Sequence, residues 1–251
     1  MKTFLLTMMV SFSAFAARPA VYTELLDYVI AAPDQGESAT CIYVGSTGAM
    51  EILANKKHDL KHQMPGDRFD ISERFLIWQK SWDSPGDRVE AQVRKFNWGE
   101  AVHISDLPFN AYNPDGTYDS RVWNKPPAFS QLPRIKVPKV ETKKLFVRGG
   151  KWDTFVLKPG DVELIKKTLW ETKSPVLVNY NDTNYWHVIT IIGYDDSIQD
   201  ASCYETLPED CAKNQEGAFY IRDSFGVPTE LRDTDWFRVK GNAAFSVMLA
   251  N

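Results

Sequence analysis

Apolar residues dominate positions 41–55 of the chain, where the sequence reads CIYVGSTGAMEILAN. The pattern predicts a helix that is apolar on most of its sides and therefore buried. Gly45 and Gly48 lie inside it, although each costs about 1 kcal/mol relative to alanine in a helix. Small residues at such positions indicate close packing against another element. The sequence therefore predicts a central helix that begins at Cys41.

Three further stretches have helical patterns. The segment 70–82, DISERFLIWQKSW, predicts a helix capped by Asp70 or Ser72. The segment 87–98, DRVEAQVRKFNW, predicts a second. The amphipathic segment 160–172, GDVELIKKTLWET, follows a proline and predicts a third.

Strand-like runs concentrate in the second half of the chain. Residues 124–146 are rich in proline and lysine, so we expect a connector with short strand pieces there. β-Branched and aromatic runs follow, and we interpret them as strands: PVLVNY, HVITIIGYD and GAFYIRDSFG. Helices come first and strands later. This order predicts an α+β fold rather than an alternating α/β fold.

The N-terminus has the pattern of a secretory signal peptide. Lys2 supplies a positive charge, an apolar stretch follows, and Ala14-Phe15-Ala16 fits a small-x-small cleavage site. We therefore expect residues 1–16 to be removed and residues 17–251 to form an exported domain. The location would be periplasmic or extracellular.

Composition and charge exclude several classes of protein. The formal net charge is −4, with acidic and basic residues interspersed, and no basic stripe indicates nucleic-acid binding. After the N-terminus, no apolar run approaches the roughly 18 residues of a membrane span. Metal motifs such as H-E-x-x-H and C-x-x-C are missing. We expect a monomer without a metal or another cofactor.

Export determines how the three cysteines are interpreted. Cys203 and Cys211 enclose a short run of turn-forming residues, and an oxidising compartment favours a disulfide between them. Three cysteines allow three pairings, so spacing favours this one without excluding the others. It leaves Cys41 as a free thiol that is buried, intermolecular or reactive.

A reactive thiol needs partners, and the sequence supplies candidates. A helix N-terminus and a nearby imidazolium both favour a thiolate, and His187 opens the most apolar strand-like run of the chain. Asp223, at the end of another strand-like run, could orient that imidazole. Gln35, on a glycine-containing loop before Cys41, could donate to an oxyanion together with the Cys41 backbone N–H.

These residues lie in segments that together resemble the papain-like cysteine peptidases. A Gln-Gly pair precedes the nucleophile by the same spacing in that family, as in DQGESATC here. The other similar segments follow in family order: CIYVGSTGAME, DISERFLIW, DLPFNAY, SPVLVNY, HVITIIGYDD and FYIRDSFG. They extend over most of the chain after the signal peptide.

The resemblance implies a two-lobed fold with the active site in a cleft. The helical lobe would cover about 17–110 and the β-rich lobe about 111–251. Cys41 would be the nucleophile, His187 the acid/base, Asp223 the orienting residue and Gln35 part of the oxyanion hole. Phe225 would shield the His187–Asp223 contact. Gly86 would be the remnant of a glycine pair that binds substrate.

The chain departs from the family pattern at several positions. Asp223 replaces the usual Asn, which would retain the hydrogen bond and favour imidazolium. Ile42 replaces an aromatic residue, Phe225 replaces Trp, and Ser38 stands where the family has a disulfide cysteine. An insertion at about 197–216 would explain the long spacing from Cys41 to Asp223. The stretch between the predicted cleavage site and Cys41 is too short for the family's inhibitory propeptide.

Several hypotheses about the function remain open at this point. The first is an exported thiol endopeptidase acting on a peptide or protein substrate through a Cys41 thioester. A second is a papain-fold binding or adhesion module without activity. A third is a related cysteine amidase or transamidase. In the plainest interpretation, Cys41 is a core thiol and His187 a structural histidine.

Overall fold

The structure is a computed structural model. It describes residues 18–61, 67–79, 89–147, 149, 157–181, 186–198, 217–224, 236–237 and 243–250. The four α-helices in this part are α1 (Cys41–Lys57), α2 (Glu73–Trp78), α3 (Val89–Arg94) and α4 (Pro159–Thr172). The nine strands are β1 (Val21–Tyr22), β2 (Glu100–Ala101), β3 (Ile135–Lys136), β4 (Val140–Val147), β5 (Val176–Asn181), β6 (Trp186–Asp195), β7 (Ala218–Arg222), β8 (Trp236–Phe237) and β9 (Ala243–Leu249).

Helix α1 is the centre of the molecule, as its sequence predicts. Every residue from Cys41 to Asn55 is buried. The helix contacts α2, α3 and the short 3-10 helix Glu24–Tyr28 as well as strands β5, β6 and β9. A helix surrounded in this way has no need of a polar face, which explains its apolar sequence.

The two glycines of α1 allow close approach, as predicted. A Cβ atom at Gly45 would lie 3.1 Å from a methyl group of Val188 on β6. A Cβ atom at Gly48 would lie 2.2 Å from the guanidinium of Arg222, the last residue of β7. The first glycine seats the helix on the sheet, and the second makes room for a buried charge.

The main sheet has seven strands, all paired antiparallel. Its order is β4-β9-β5-β6-β7-β8, and β1 also pairs with the far end of β6. Val188 of β6 packs in the core cluster that includes much of α1, whereas Ile189 and Ile191 pack with Ile165 of α4. The alternation of strand side chains therefore lets one sheet hold two helices.

The predicted connector is more ordered than its prolines indicate. Within 124–146, β3 is a two-residue piece, but β4 is an eight-residue strand paired with β9 along its length. The prolines end at Pro138, and the lysines of β4 suit an edge strand. The prediction of only short strand pieces was wrong because β9, the partner of β4, is remote in sequence.

Other predicted elements form with shorter bounds. Helix α2 begins at Glu73 after Ser72, whose hydroxyl donates to the Leu107 carbonyl rather than capping the helix. The helix predicted at 87–98 becomes α3 followed by a 3-10 turn at Lys95–Trp98. Among the described residues, no helix is both long and apolar enough to span a membrane.

Candidate active site

Cys41 lies at the junction of α1 and the main sheet. It is the first residue of α1 and is 2% exposed, with its Sγ atom 4.0 Å from the carbonyl oxygen of Trp186 at the start of β6. The helix begins here because the Thr40 carbonyl accepts from the N–H groups of Tyr43 and Val44. The first N–H groups of a helix have no acceptor within it, so the backbone presents partial positive charge beside the sulfur.

His187 and Asp223 form a buried hydrogen-bonded pair. Nε2 of His187 lies 2.6 Å from Oδ1 of Asp223, and the two residues are 2% and 7% exposed. Antiparallel pairing of β6 with β7 explains the meeting, because it brings the residues after β7 to the start of β6. The Ser224 backbone N–H also donates to Oδ1 and fixes the carboxylate.

The environment of His187 favours its charged form. Burial alone would lower the pKa of its imidazole, but hydrogen bonds to Asp223 and Cys41, and the charges of both groups, raise the pKa from 6.5 to about 9. The Cys41 Sγ lies 4.0 Å from the carbonyl oxygen of Trp186, the residue before His187, so the thiol and the imidazole are neighbours. Since Asp223 holds Nε2, the ring nitrogen that can exchange a proton with Cys41 is Nδ1.

Gln35 is tied to the residue that follows Asp223. Its Oε1 accepts from the Ser224 hydroxyl at 2.8 Å, and its backbone N–H donates to the Ser224 carbonyl at 2.7 Å. The side chain is buried, and Gly36 behind it turns the chain with a left-handed φ of 49°. Because Oε1 is already engaged, the amide NH₂ is the end of this side chain that can donate to a ligand.

The structure thus brings four sequence-predicted residues to one place. They are Cys41, His187, Asp223 and Gln35. The loop before α1, the start of β6 and the end of β7 meet there. The other predicted site residues, Gly86, Phe225, Cys203 and Cys211, lie outside the described residues.

Sequence reasoning missed two residues that hold this cluster together. Ser224 fixes both Asp223 and Gln35. Arg222 is 5% exposed and donates hydrogen bonds to α1 and to the chain before it. A signal for Arg222 was present, since a charge that ends an apolar run such as AFYI needs buried partners.

The described histidines outside the cluster have other partners. His58 stacks on Phe69, and Nδ1 of His103 lies 2.9 Å from the Ser105 hydroxyl. Within the described ranges, no group of three or more His, Cys, Asp or Glu residues is arranged to hold a metal ion. The groups gathered at Cys41 are a thiol, an imidazole, a carboxylate and an amide.

Three solved structures with folds similar to this chain come from cysteine proteases. The cysteine protease and lectin-like domains of Cwp84, a surface-layer-associated protein of Clostridium difficile, align with a TM-score of 0.54 and 15% identity over 94% of this chain. Digestive procathepsin L 3 of Tenebrio molitor gives 0.55 and 14% over 94%, with 72% of that chain covered. Bromelain of Ananas comosus in complex with the E64 inhibitor gives 0.52 and 12% over 92%, with all of that chain covered.

This chain has the papain-like fold. The α+β class and the resemblance read from the sequence are thereby confirmed. The chain spans 58% and 53% of the lengths of two Cwp84 structures. No protein-family model matches it, and no curated protein does. Identities of 12% to 15% carry the architecture alone, so the chemistry must be argued from the residues of this chain.

Proposed function

We propose that this protein is an exported papain-like thiol endopeptidase with Cys41 as its nucleophile. The observation that carries the proposal is the buried 2.6 Å contact between His187 and Asp223 beside the Cys41 thiol. An imidazole whose pKa is about 9 keeps its proton at neutral pH, and a positive charge next to a sulfur favours the thiolate. A core thiol with a structural histidine would have no need of this arrangement.

The reaction follows from the positions of the four groups. The Cys41 thiolate attacks the carbonyl carbon of a peptide bond, and the carbonyl oxygen becomes an oxyanion. The Gln35 amide and the Cys41 backbone N–H donate to that oxygen. Nδ1 of the His187 imidazolium then gives its proton to the departing amine as the carbon–nitrogen bond breaks, which leaves a thioester.

Hydrolysis of the thioester restores the site. Neutral His187 removes a proton from water, the resulting hydroxide attacks the thioester carbon, and the Cys41 thiolate leaves beside the re-formed imidazolium. Asp223 accepts a hydrogen bond from Nε2 throughout, so the ring keeps one orientation. Each step uses side chains of this chain and needs no metal or other cofactor.

The organisation of the protein is part of the proposal. Residues 1–16 would direct export and be removed, and residues 17–251 would act as a monomer on a peptide or protein substrate. The helical lobe at about 17–110 and the β-rich lobe at about 111–251 remain predictions, as does the Cys203–Cys211 disulfide. One of the aligned structures is of Cwp84, a surface-layer-associated protein, and this likeness supports export.

Thiol reactivity tests the proposed nucleophile. The purified protein is treated with iodoacetamide between pH 5 and 8, and adducts are followed by intact mass. A thiol of pKa about 8.5 is roughly one-thousandth thiolate at pH 5.5, so rapid alkylation of Cys41 at that pH would require the His187 pair. His187→Ala should slow it by up to about 1,000-fold, Cys41→Ala should abolish it, and His103→Ala should leave it unchanged.

Substrate class is tested with a peptide library whose new termini are identified by mass spectrometry. Cleavage by the wild-type protein and not by Cys41→Ala supports the endopeptidase. A reactive Cys41 without peptide cleavage would favour a cysteine amidase or transamidase. Alkylation that begins only near pH 8 would overturn the proposal and favour a non-catalytic binding module.

A further inference from the structure

Arg222 fastens the end of β7 to both sides of the segment that carries Gln35 and Cys41. Its Nε donates to the carbonyl of Ile30 at 2.9 Å, and its Nη1 donates to the carbonyl of Val44 at 3.0 Å. Ile30 precedes the Gln35 loop, and Val44 lies in the first turn of α1. One guanidinium therefore bridges the two ends of the stretch that holds the predicted nucleophile and oxyanion donor.

The third guanidinium nitrogen of Arg222 contacts a residue further along α1. Nη2 lies 3.2 Å from Oε2 of Glu51 on α1, and Oε1 of Glu51 accepts from the Ile71 N–H just before α2. The arginine and glutamate side chains are 3% and 1% exposed. The planar fork of arginine suits three acceptors in fixed directions, whereas a lysine ammonium would act as a point charge.

The surroundings of Arg222 contain more acidic groups than one cation neutralises. Burial raises the pKa of Glu51, and it raises that of Glu73 to about 7, while Arg222 opposes both shifts. Burial also raises the pKa of Asp70, and the charges of His103 and Arg222 offset only part of that rise. A carboxylate such as Glu51 could therefore take up a proton if Arg222 were removed, so loss of the cation need not leave a buried charge.

We infer that Arg222 is a positioning residue: it holds the end of β7 against α1 so that Asp223 meets His187 beside Cys41. Asp223 is its immediate neighbour in sequence, so a movement of the backbone at Arg222 also moves the orienting carboxylate. The consequence for catalysis rests on the function proposed above. The positional statement itself concerns only the His187–Asp223 contact.

The test follows the His187 imidazole by NMR in protein with labelled histidine, with His187→Ala to assign its signal. In Arg222→Met we expect the pKa of His187 to fall by about one unit, so the upper pH limit of the range in which thiolate and imidazolium coexist should also fall by about one unit. Arg222→Lys keeps the charge but not the fork, and should rescue thermal stability more than the His187 pKa.

A second variant moves the guanidinium without altering any charge. A methyl group at Gly48 would lie 2.2 Å from Nη1 of Arg222, so Gly48→Ala should displace the arginine from the Val44 carbonyl. We expect a shift of the His187 pKa in the same direction as in Arg222→Met. This variant, with Arg222→Lys, carries the test if Arg222→Met does not fold.

Lys166→Met is the matched control. Lys166 is as buried as Arg222, at 5% exposed, and pairs with Asp196 at 2.6 Å near the opposite end of β6 from His187. It should lose thermal stability but keep the wild-type His187 titration. If Arg222→Met and Gly48→Ala also keep that titration, Arg222 is merely structural and the inference is wrong.

The two readouts separate this inference from the proposed function. If the His187 pKa moves with Arg222 but wild-type Cys41 does not react at pH 5.5, the peptidase proposal fails and the positioning role stands. If wild-type Cys41 reacts at pH 5.5 and Arg222→Met has an unchanged His187 titration, the positioning role fails and the peptidase proposal stands. A wild-type His187 pKa near 6.5 would overturn both.

Discussion

The carboxylate at position 223, where papain-like peptidases usually have Asn, makes a specific prediction possible. Asp223→Asn removes the negative charge 2.6 Å from Nε2 of His187 but keeps an oxygen that can accept the same hydrogen bond. The two side chains have nearly the same shape. The substitution therefore isolates the charge from the geometry.

The size of the effect follows from the contact. A hydrogen bond to a charged group contributes about 1.5–3 kcal/mol, against about 0.5–1.5 kcal/mol for a neutral one. The difference of about 1 kcal/mol corresponds to roughly one pKa unit. The pKa of His187, about 9 in the wild type, should therefore fall to about 8 in Asp223→Asn. Asp223→Ala, which also removes the acceptor, should lower it further.

The assay is the pH dependence of Cys41 alkylation and of the His187 NMR signal between pH 5 and 10. The imidazolium sets the upper limit of the range in which thiolate and imidazolium coexist, so that limit should move down by about one pH unit. Asp196→Asn is the control, because it makes the same change at the far end of β6, about 30 Å away at 3.3 Å per residue. Charges at that distance are screened, so it should not shift the titration.

The reasoning would be refuted if Asp223→Asn titrated like the wild type while Asp223→Ala did not. The acceptor alone would then hold the imidazole, and the carboxylate charge would have no effect on it. Equal titration in all three proteins would mean that Asp223 does not contact His187.

Three other predictions follow from the site. Gln35→Ala should lower kcat for peptide cleavage by about 100-fold while Cys41 alkylation at pH 5.5 stays near wild type, because the oxyanion donor is lost and the His187–Asp223 contact stays; equal losses in both assays would contradict this. Ala39 lies in the loop before Cys41 with a left-handed φ of 54°, a conformation that strains alanine but not glycine. Ala39→Gly should therefore raise the free energy of unfolding, measured in urea, by about 1 kcal/mol. A decrease would contradict this assignment of strain. The raised pKa of His187 should contribute stability that is complete below about pH 6.5 and lost as pH rises through 9, by at most about 3 kcal/mol; urea titrations at pH 6 and 10 should show this loss in the wild type and not in His187→Ala.

Local patterns were sufficient for the elements that position the site. The apolar run that starts at Cys41 is long enough for a helix and too uniformly apolar for a surface one, which fixes α1 as central. The β-branched run after His187 gives β6 in the same way. Helix α4 follows from its proline and its amphipathic period.

Long-range pairing could not be read from the sequence. Strand β4 exists because β9 lies beside it, and nothing in the lysine-rich run 140–147 identifies a partner so far along the chain. The same reason hid Arg222 and Ser224, whose acceptors at Val44 and Gln35 lie on the other side of the site. A charged residue at the end of an apolar run indicates that it has buried partners, but the sequence does not show which residues those partners are.

The contacts around Cys41 also explain why the site and the fold are difficult to separate. Gln35 reaches the sheet through Ser224, and Arg222 reaches α1 and the chain before the Gln35 loop. These three residues and Asp223 therefore join α1 to the end of β7 while they orient the predicted catalytic groups. A substitution at any of them changes stability as well as activity, so loss of activity alone cannot assign a role. Only a readout local to the imidazole or the thiol can do so, because its response depends on the charge and distance of its neighbours rather than on the fraction of folded protein.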